Sequence, residues 1–289
     1  MTETTRVGTL RAVSRRFVAS VCAVAGATIA VAACGASQAI DPVSRAAAVT
    51  LSTPGYRMSA VMSVSSPTAP VTASMTGQID TAADRGTMTM NEVVGGRPVK
   101  AAMVFSKLNF YMRSAAIPGA SKLTGGKPWI YVDMGQALGA MGVGSLPGTT
   151  DPSQFLDYMS AVGATPTRVA SVSIHGVKTT EYRAVIDLDR YAKKGYASAK
   201  TVSTLESALG SHTLPIEAWI DGQNRVRRIH MAFPECVDGN KVRFNMTMGI
   251  YDFGSQPQGQ IPTASQVYNL TPVLAAEYGK VKLSCKSAS

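Results

Sequence analysis

The sequence predicts an α+β fold in which one long, curved antiparallel sheet is laid over a few α-helices. Three observations lead there. Between Tyr56 and Phe253, run after run alternates apolar and polar residues with a period of two, which marks half-buried strands. Helical spacing of apolar residues is confined to short stretches near 42–51, 151–163 and 195–210. No linker-like change of composition divides the chain after residue 42, so a single domain spans 42–289. A sheet with one apolar face has to cover that face. With so few helices available, it must curl around them.

The chain opens with a basic zone containing Arg6, Arg11, Arg15 and Arg16, then an apolar run from Phe17 to about Ala30, then small residues ending at Cys34. That layout is a secretion signal. The apolar run is shorter than the ~20 residues a spanning helix needs. Val31-Ala32-Ala33-Cys34-Gly35 resembles the lipobox of bacterial lipoproteins. The resemblance implies that residues 1–33 are removed and that Cys34 becomes a lipidated N-terminus on the outer face of the cell membrane, with 34–41 as its tether. A thiolate attacks a lipid donor readily, and each buried methylene of an acyl chain contributes roughly 0.8 kcal/mol to anchoring. A transmembrane anchor or an ordinary cleaved signal is the alternative reading.

An alanine-rich stretch over 42–51 predicts the first helix. The period then drops to two. Met58, Ala60, Met62 and Val64 share a face in YRMSAVMSV, and Val71, Ala73, Met75, Gly77 and Ile79 share one in VTASMTGQID. The pattern continues through 87–91, through VKAAMVF with Val99, Ala101, Met103 and Phe105 aligned, through LNFYM, and through PWIYVDM after a Gly-Gly-Lys-Pro break. In DPSQFLDYMSAVG, Asp151 can cap, Pro152 suits a first turn, Phe155, Met159 and Val162 form a stripe, and Gly163 can end the helix. Strands resume at 167–174 and 177–188 around the two-residue turn His175-Gly176. A further helix from about Gly195 gathers Val202, Leu205 and Leu209 and stops at Gly210. LPIEAWI, RVRRIHMAF and KVRFNMTMGIYDF return to strands, the first two linked around Asp221-Gly222, and the chain closes in a C-terminal tail.

Without residues 1–33, Lys+Arg falls from 28 to 24 and Asp+Glu from 18 to 17, leaving a net charge of +7. The basic residues are scattered, with no block and no aromatic-basic motif, which argues against a nucleic-acid partner. On a tethered, outward-facing protein the excess gives weak attraction to anionic lipid and wall polymer, or is simply a solvated surface. Of four cysteines, Cys22 leaves with the signal and Cys34 is acylated, so Cys236 and Cys285 remain. In an exported chain such a pair is expected to be bonded, with two buried thiols as the other possibility.

The order of an alanine-rich helix, YRMSAVMSV, paired strands, KPWIYVDM, the helix beginning DPSQFL, LPIEAWIDGQNRVRRIHM and the late IPTASQVYNL resembles the LolA-like superfamily, and within it actinobacterial lipoproteins of the LppX and LprG type. The likeness spans roughly 42–270 and includes Trp129, Asp133, Trp219 and Asp221-Gly222, with no diagnostic short motif. It implies a half-barrel wrapped over helices, with a hydrophobic cavity that takes acyl chains and helps carry lipids or lipoglycans through the envelope. The expected partners are an acyl lipid or lipoglycan, the membrane through its anchor, and an envelope exporter or membrane protein. The chain is expected to act as a monomer. The segment GQALGAMGVGSLPG and the tail ending in Cys285 are longer than the pattern implies.

Thirteen of the 14 methionines follow the initiator, and many fall on one strand face. Methionine is unbranched and polarizable, so a face made of it adapts to varied apolar shapes, including lipid tails. Met58, Met62, Met75, Met103, Phe105 and Met246 are the expected cavity walls. The same residues could equally fill an irregular core, in which case the half-barrel is a closed sensor or protein-interaction module.

Enzymatic motifs are missing. His175, His212 and His230 have no metal-binding spacing, so no metal and no cofactor is expected. Ser145 directly follows Gly144 in GSLPG, which is not a nucleophile elbow. Pro128 stands where a phosphate loop around Lys127 needs Ser or Thr. Asp187 and Asp189 lie at a strand end, where helix capping accounts for them.

Overall fold

The computed structural model describes residues 41–65, 71–94, 97–117, 120–140, 156, 159, 161–163, 165–237 and 239–281. Twelve strands appear among them: β1 (Gly55–Ser65), β2 (Val71–Asp80), β3 (Arg85–Val94), β4 (Arg97–Ser106), β5 (Asn109–Arg113), β6 (Trp129–Asp133), β7 (Thr167–Ile174), β8 (Val177–Asp187), β9 (Thr213–Asp221), β10 (Val226–Val237), β11 (Asn240–Tyr251) and β12 (Val267–Asn269). They form one open sheet in the order β12-β6-β5-β4-β3-β2-β1-β11-β10-β9-β8-β7. Every neighbouring pair is antiparallel except β12 with β6. The fold is α+β, as expected. Residues Ile40–Ser289 form one compact unit.

The described helices are α1 (Pro42–Leu51), α2 (Ala120–Thr124), α3 (Met134–Gly139), α4 (Leu188–Lys193), α5 (Ala199–Leu209) and α6 (Thr271–Tyr278). None of the described helices is long and apolar enough to cross a membrane. Asp41 starts α1 by accepting from the N–H groups of Val43 and Ser44 at 3.0 and 2.8 Å, with Pro42 in the first turn. The face that α1 buries consists of Val43, Ala46, Ala47 and Thr50, small enough for close approach to the sheet. Thr50 Oγ1 donates to Ala46 C=O and accepts from Val226 N–H, both at 2.8 Å, which pins the helix to β10.

Local chemistry explains the other boundaries. His175 and Gly176, at φ 49° and 79°, make the tight turn between β7 and β8. Asp187 accepts from Arg190 N–H at 2.8 Å and caps α4, the role its place at a strand end suggested. The single helix expected from about Gly195 to Gly210 proves to be α5 alone, preceded by a separate α4. Gly195 at φ 80° breaks the chain between them, and Ser198 caps α5 through Thr201 N–H at 3.1 Å.

The helix expected over 151–163 lies mostly outside the described residues. Leu156 and Met159 are helical and wholly buried. Val162, however, bridges Ile186 as extended chain, because Gly163 N–H and Asp187 N–H close rungs to Val185 and Ala161 carbonyls at 2.9 and 3.1 Å. The expected tail is structured as far as residue 281. β12 and α6 are too short to show periodicity and are held by long-range bonds: Leu270 N–H donates to Tyr131 C=O, and Asp133 N–H to Thr271 Oγ1, each at 2.9 Å.

Reaching β12 from β11 requires the chain to pass the six strands β1 to β6. Residues 252–266 do so over the face opposite the core. Gln78 donates to Pro257 C=O at 3.2 Å, and Gln258 to Asp80 at 2.9 Å. Gly259 lies so close to Thr87 and Val104 that a Cβ there would fall 2.6 and 2.7 Å from their methyl groups.

Candidate functional site

Strand alternation sends Met58, Met62, Met75, Met103, Phe105 and Met246 to the inner face of the sheet, and all six join one apolar cluster. Met58, Met103, Phe105 and Met246 are buried, whereas Met62 and Met75 are only partly covered. Methionines at 58, 88, 103, 159, 231, 246 and 248 are buried in the cluster, and those at 62, 75, 90 and 112 pack against it, making 11 of the chain's 14. Met88, Met90 and Met231 had not been singled out, and Met159 only as part of a helical stripe. The alternation in RGTMTMNEVV and RVRRIHMAF carried the signal for the first three.

Register turns these residues into rows. Met231, Met246 and Met62 stand opposite one another across β10, β11 and β1. Met75 faces Met90 across β2 and β3, and Met88, Met103 and Met112 cross β3, β4 and β5. Alanine fills the places between: Ala73 lies opposite Met62, Ala60 opposite Met75, and Ala101 opposite Met90. Flexible thioethers beside small residues give a layer that can reshape without breaking the ladder. At its centre Met58, Met246 and Met248 are closed over. Toward β1, β2, β3 and β5 the methionines are half-covered.

The inner face also carries an acid. Glu235 lies opposite Val242 on that face, next to the stacked rings of Phe233 and Phe244, whose centroids are 4.8 Å apart. Burial raises its pKa above the ordinary carboxylate value. Among the described residues it has no hydrogen-bonding or ionic partner.

Several cavities among the described residues lie away from the cluster's centre. One of about 530 Å³ runs along the outer side of β1 to β5 between Arg57 and Trp129, and Met103 is the expected wall residue that borders it. Arg113 stacks on Trp129 there, 4.1 Å from the ring centroid. Two more, of about 600 and 280 Å³, follow the line between β9 and β10.

Polar clusters are structural in their geometry. At the β9–β10 turn, Asp221 Oδ1 accepts from Gln223 and Arg225 N–H at 2.9 Å, and Oδ2 from Arg225 Nε at 3.1 Å and Arg227 Nε at 2.7 Å. Burial works to raise the Asp221 pKa. The Arg225 backbone N–H, the two guanidinium groups and the Gln223 N–H outweigh it and hold the carboxyl below its ordinary value. Asp189, Glu206 and His212, far apart in sequence, place one ligand atom each within 4.8 Å of the others, an arrangement that spacing alone had hidden. Its shortest contact, His212 Nδ1 to Glu206 at 2.6 Å, is an exposed ion pair that raises the histidine pKa.

Cys34 and Cys285 lie outside the described residues. Cys236 is buried on β10, opposite Lys241.

No family model matches this sequence, and no curated protein does. Among solved structures, the chain is similar to LprF from Mycobacterium bovis at 15% identity and TM-score 0.41, covering 77% of this chain and 94% of that one. Lipoprotein LppX from Mycobacterium tuberculosis matches at 10% identity and TM-score 0.42, over 76% and 96%. A LolA superfamily protein from Nitrosomonas europaea matches at 8% identity and TM-score 0.30, over 76% and 93%. The fold itself rests on the twelve-stranded sheet.

Proposed function

We propose that this chain is an envelope lipoprotein, anchored through Cys34, that binds the acyl chains of a lipid or lipoglycan against the methionine-rich inner face of its sheet and carries or shields them. The observation that carries this reading is the set of cross-strand methionine rows interleaved with alanine. An ordinary core gains uniqueness from branched side chains in fixed rotamers, and this layer forgoes it. The half-covered Met62, Met75, Met90 and Met112 leave methionine surface that a bound chain can cover. At ~0.8 kcal/mol per methylene, a long acyl chain gains on the order of 10 kcal/mol before ordering costs, enough to survive gentle purification.

Native mass spectrometry of a form beginning at Gly35, purified without detergent, tests this. Added mass matching a lipid, and lower occupancy in Met62→Trp with the sheet intact, support it. A bare mass with no uptake of a fluorescent acyl probe sinks it. That outcome favours a closed interaction module, a reading supported by the complete burial of Met58, Met246 and Met248. The anchor is tested separately. A Cys34→Ala variant is expected to leave the membrane fraction, and one that stays membrane-bound removes Cys34 from the proposal.

A further inference from the structure

Pro215 and Pro234 sit within strands β9 and β10, where proline is rarely tolerated because its nitrogen carries no proton for the ladder. Pairing between these strands runs from Val226 opposite Ile220 to His230 opposite Glu217 and stops. Yet β9 stays paired with β8 as far as Thr213, and β10 with β11 as far as Val237. The direction of the backbone groups explains the stop. Leu188 N–H donates to His212 C=O at 3.1 Å, so with the β8–β9 register the even-numbered residues of β9 turn their backbone groups toward β8 and the odd-numbered ones toward β10. Continued register would set Pro215 opposite Ala232 and Thr213 opposite Pro234. Each of those two rungs lacks a donor, and Thr213 N–H goes to Ser211 Oγ at 3.1 Å instead. One proline on each strand thus unzips the sheet from one end.

The two cavities of about 600 and 280 Å³ follow this seam and share Val185 and Pro215. The larger is bordered by Ala184 and Ile216, the smaller by Phe233, and all three belong to or pack against the inner cluster. Charged groups stay at the outer rim, where Glu217 lies 3.1 Å from Arg183 and 3.9 Å from His230.

We propose that this seam is the lateral passage by which an acyl chain reaches the inner face, an inference that rests on the lipid-binding reading above. A peptide strand added here would meet the same missing donors at Pro215 and Pro234 and could not complete a ladder. A hydrocarbon chain needs no donors, and the walls it meets are apolar.

The test uses the full chain in membranes, a long-chain fatty acid carrying a diazirine, irradiation, and mapping of labelled peptides by mass spectrometry. Label is expected on 215–217 and 232–234 as well as on the methionine strands. The double variant P215V/P234T restores both donors. It is expected to cut seam labelling roughly tenfold, equivalent to about 1.4 kcal/mol of closure, and to slow labelling of the inner face. Label confined to the methionine strands overturns the seam and leaves lipid binding standing. No label anywhere overturns lipid binding itself. Hydrogen exchange of the unmodified chain gives a reading independent of any variant: an Ala232 amide as protected as the paired amide of His230 overturns the seam.

Discussion

Asp221→Asn is expected to destabilise the protein through one buried carboxylate oxygen. The substitution keeps Oδ1, so the bonds from Gln223 and Arg225 N–H survive. It replaces Oδ2 by an amide that turns its own donors toward Arg225 and Arg227, which now lie 3.0 and 2.7 Å from that oxygen. Breaking a buried pair costs roughly 3–5 kcal/mol, because the remaining charge is stranded. The Arg225 and Arg227 side chains are 22% and 13% exposed and can rotate part of their charge into water. We therefore expect a loss of about 2–3 kcal/mol, near or below the lower end of that range. For a domain of this size that corresponds to a fall in Tm of about 5–10 °C. The assay is urea and thermal unfolding followed by circular dichroism, near neutral pH and again in acid. The native carboxyl titrates below its ordinary value of 3.8, so its contribution is present above that value and is lost as pH falls through the folded pKa. The gap between parent and variant should narrow in acid. A loss under about 1 kcal/mol near neutral pH, or a gap that persists unchanged in strong acid, refutes the reasoning.

Glu235→Gln should act in the opposite sense. The folded state raises the Glu235 pKa above 4.5, so stability is lost as pH rises through the folded value, and the variant should be more stable than the parent near neutral pH and equal to it in acid. Urea midpoints at both pH values decide, and a variant weaker near neutral pH contradicts it. NMR titration should find His212 above its ordinary 6.5, with Glu206→Gln bringing it back down; the pair's stabilisation is present below that ordinary value and fades as pH rises through the folded one. Cys236 and Cys285 should appear as one cross-linked peptide in non-reducing digests, and recovery of both as free thiols ends that expectation.

The sequence by itself determined the period of each long strand, the face its methionines take, the His175-Gly176 turn and the cap at Asp187. All of these depend on neighbours within a few residues, where alternation, left-handed backbone and side-chain capping act directly. The proposal that Cys34 is the anchor rests on local pattern in the same way. Tertiary structure decided the rest. Whether Met231 meets Met246 and Met62 depends on register between strands far apart in the chain, which alternation leaves free by any even shift. β12 and α6 are too short to fold on their own preference and exist through bonds to β6. Pro215 and Pro234 were plain to read as residues. That they face the same gap follows only from which side of β9 pairs with β8, because a missing donor has consequences only where a partner strand was waiting for it.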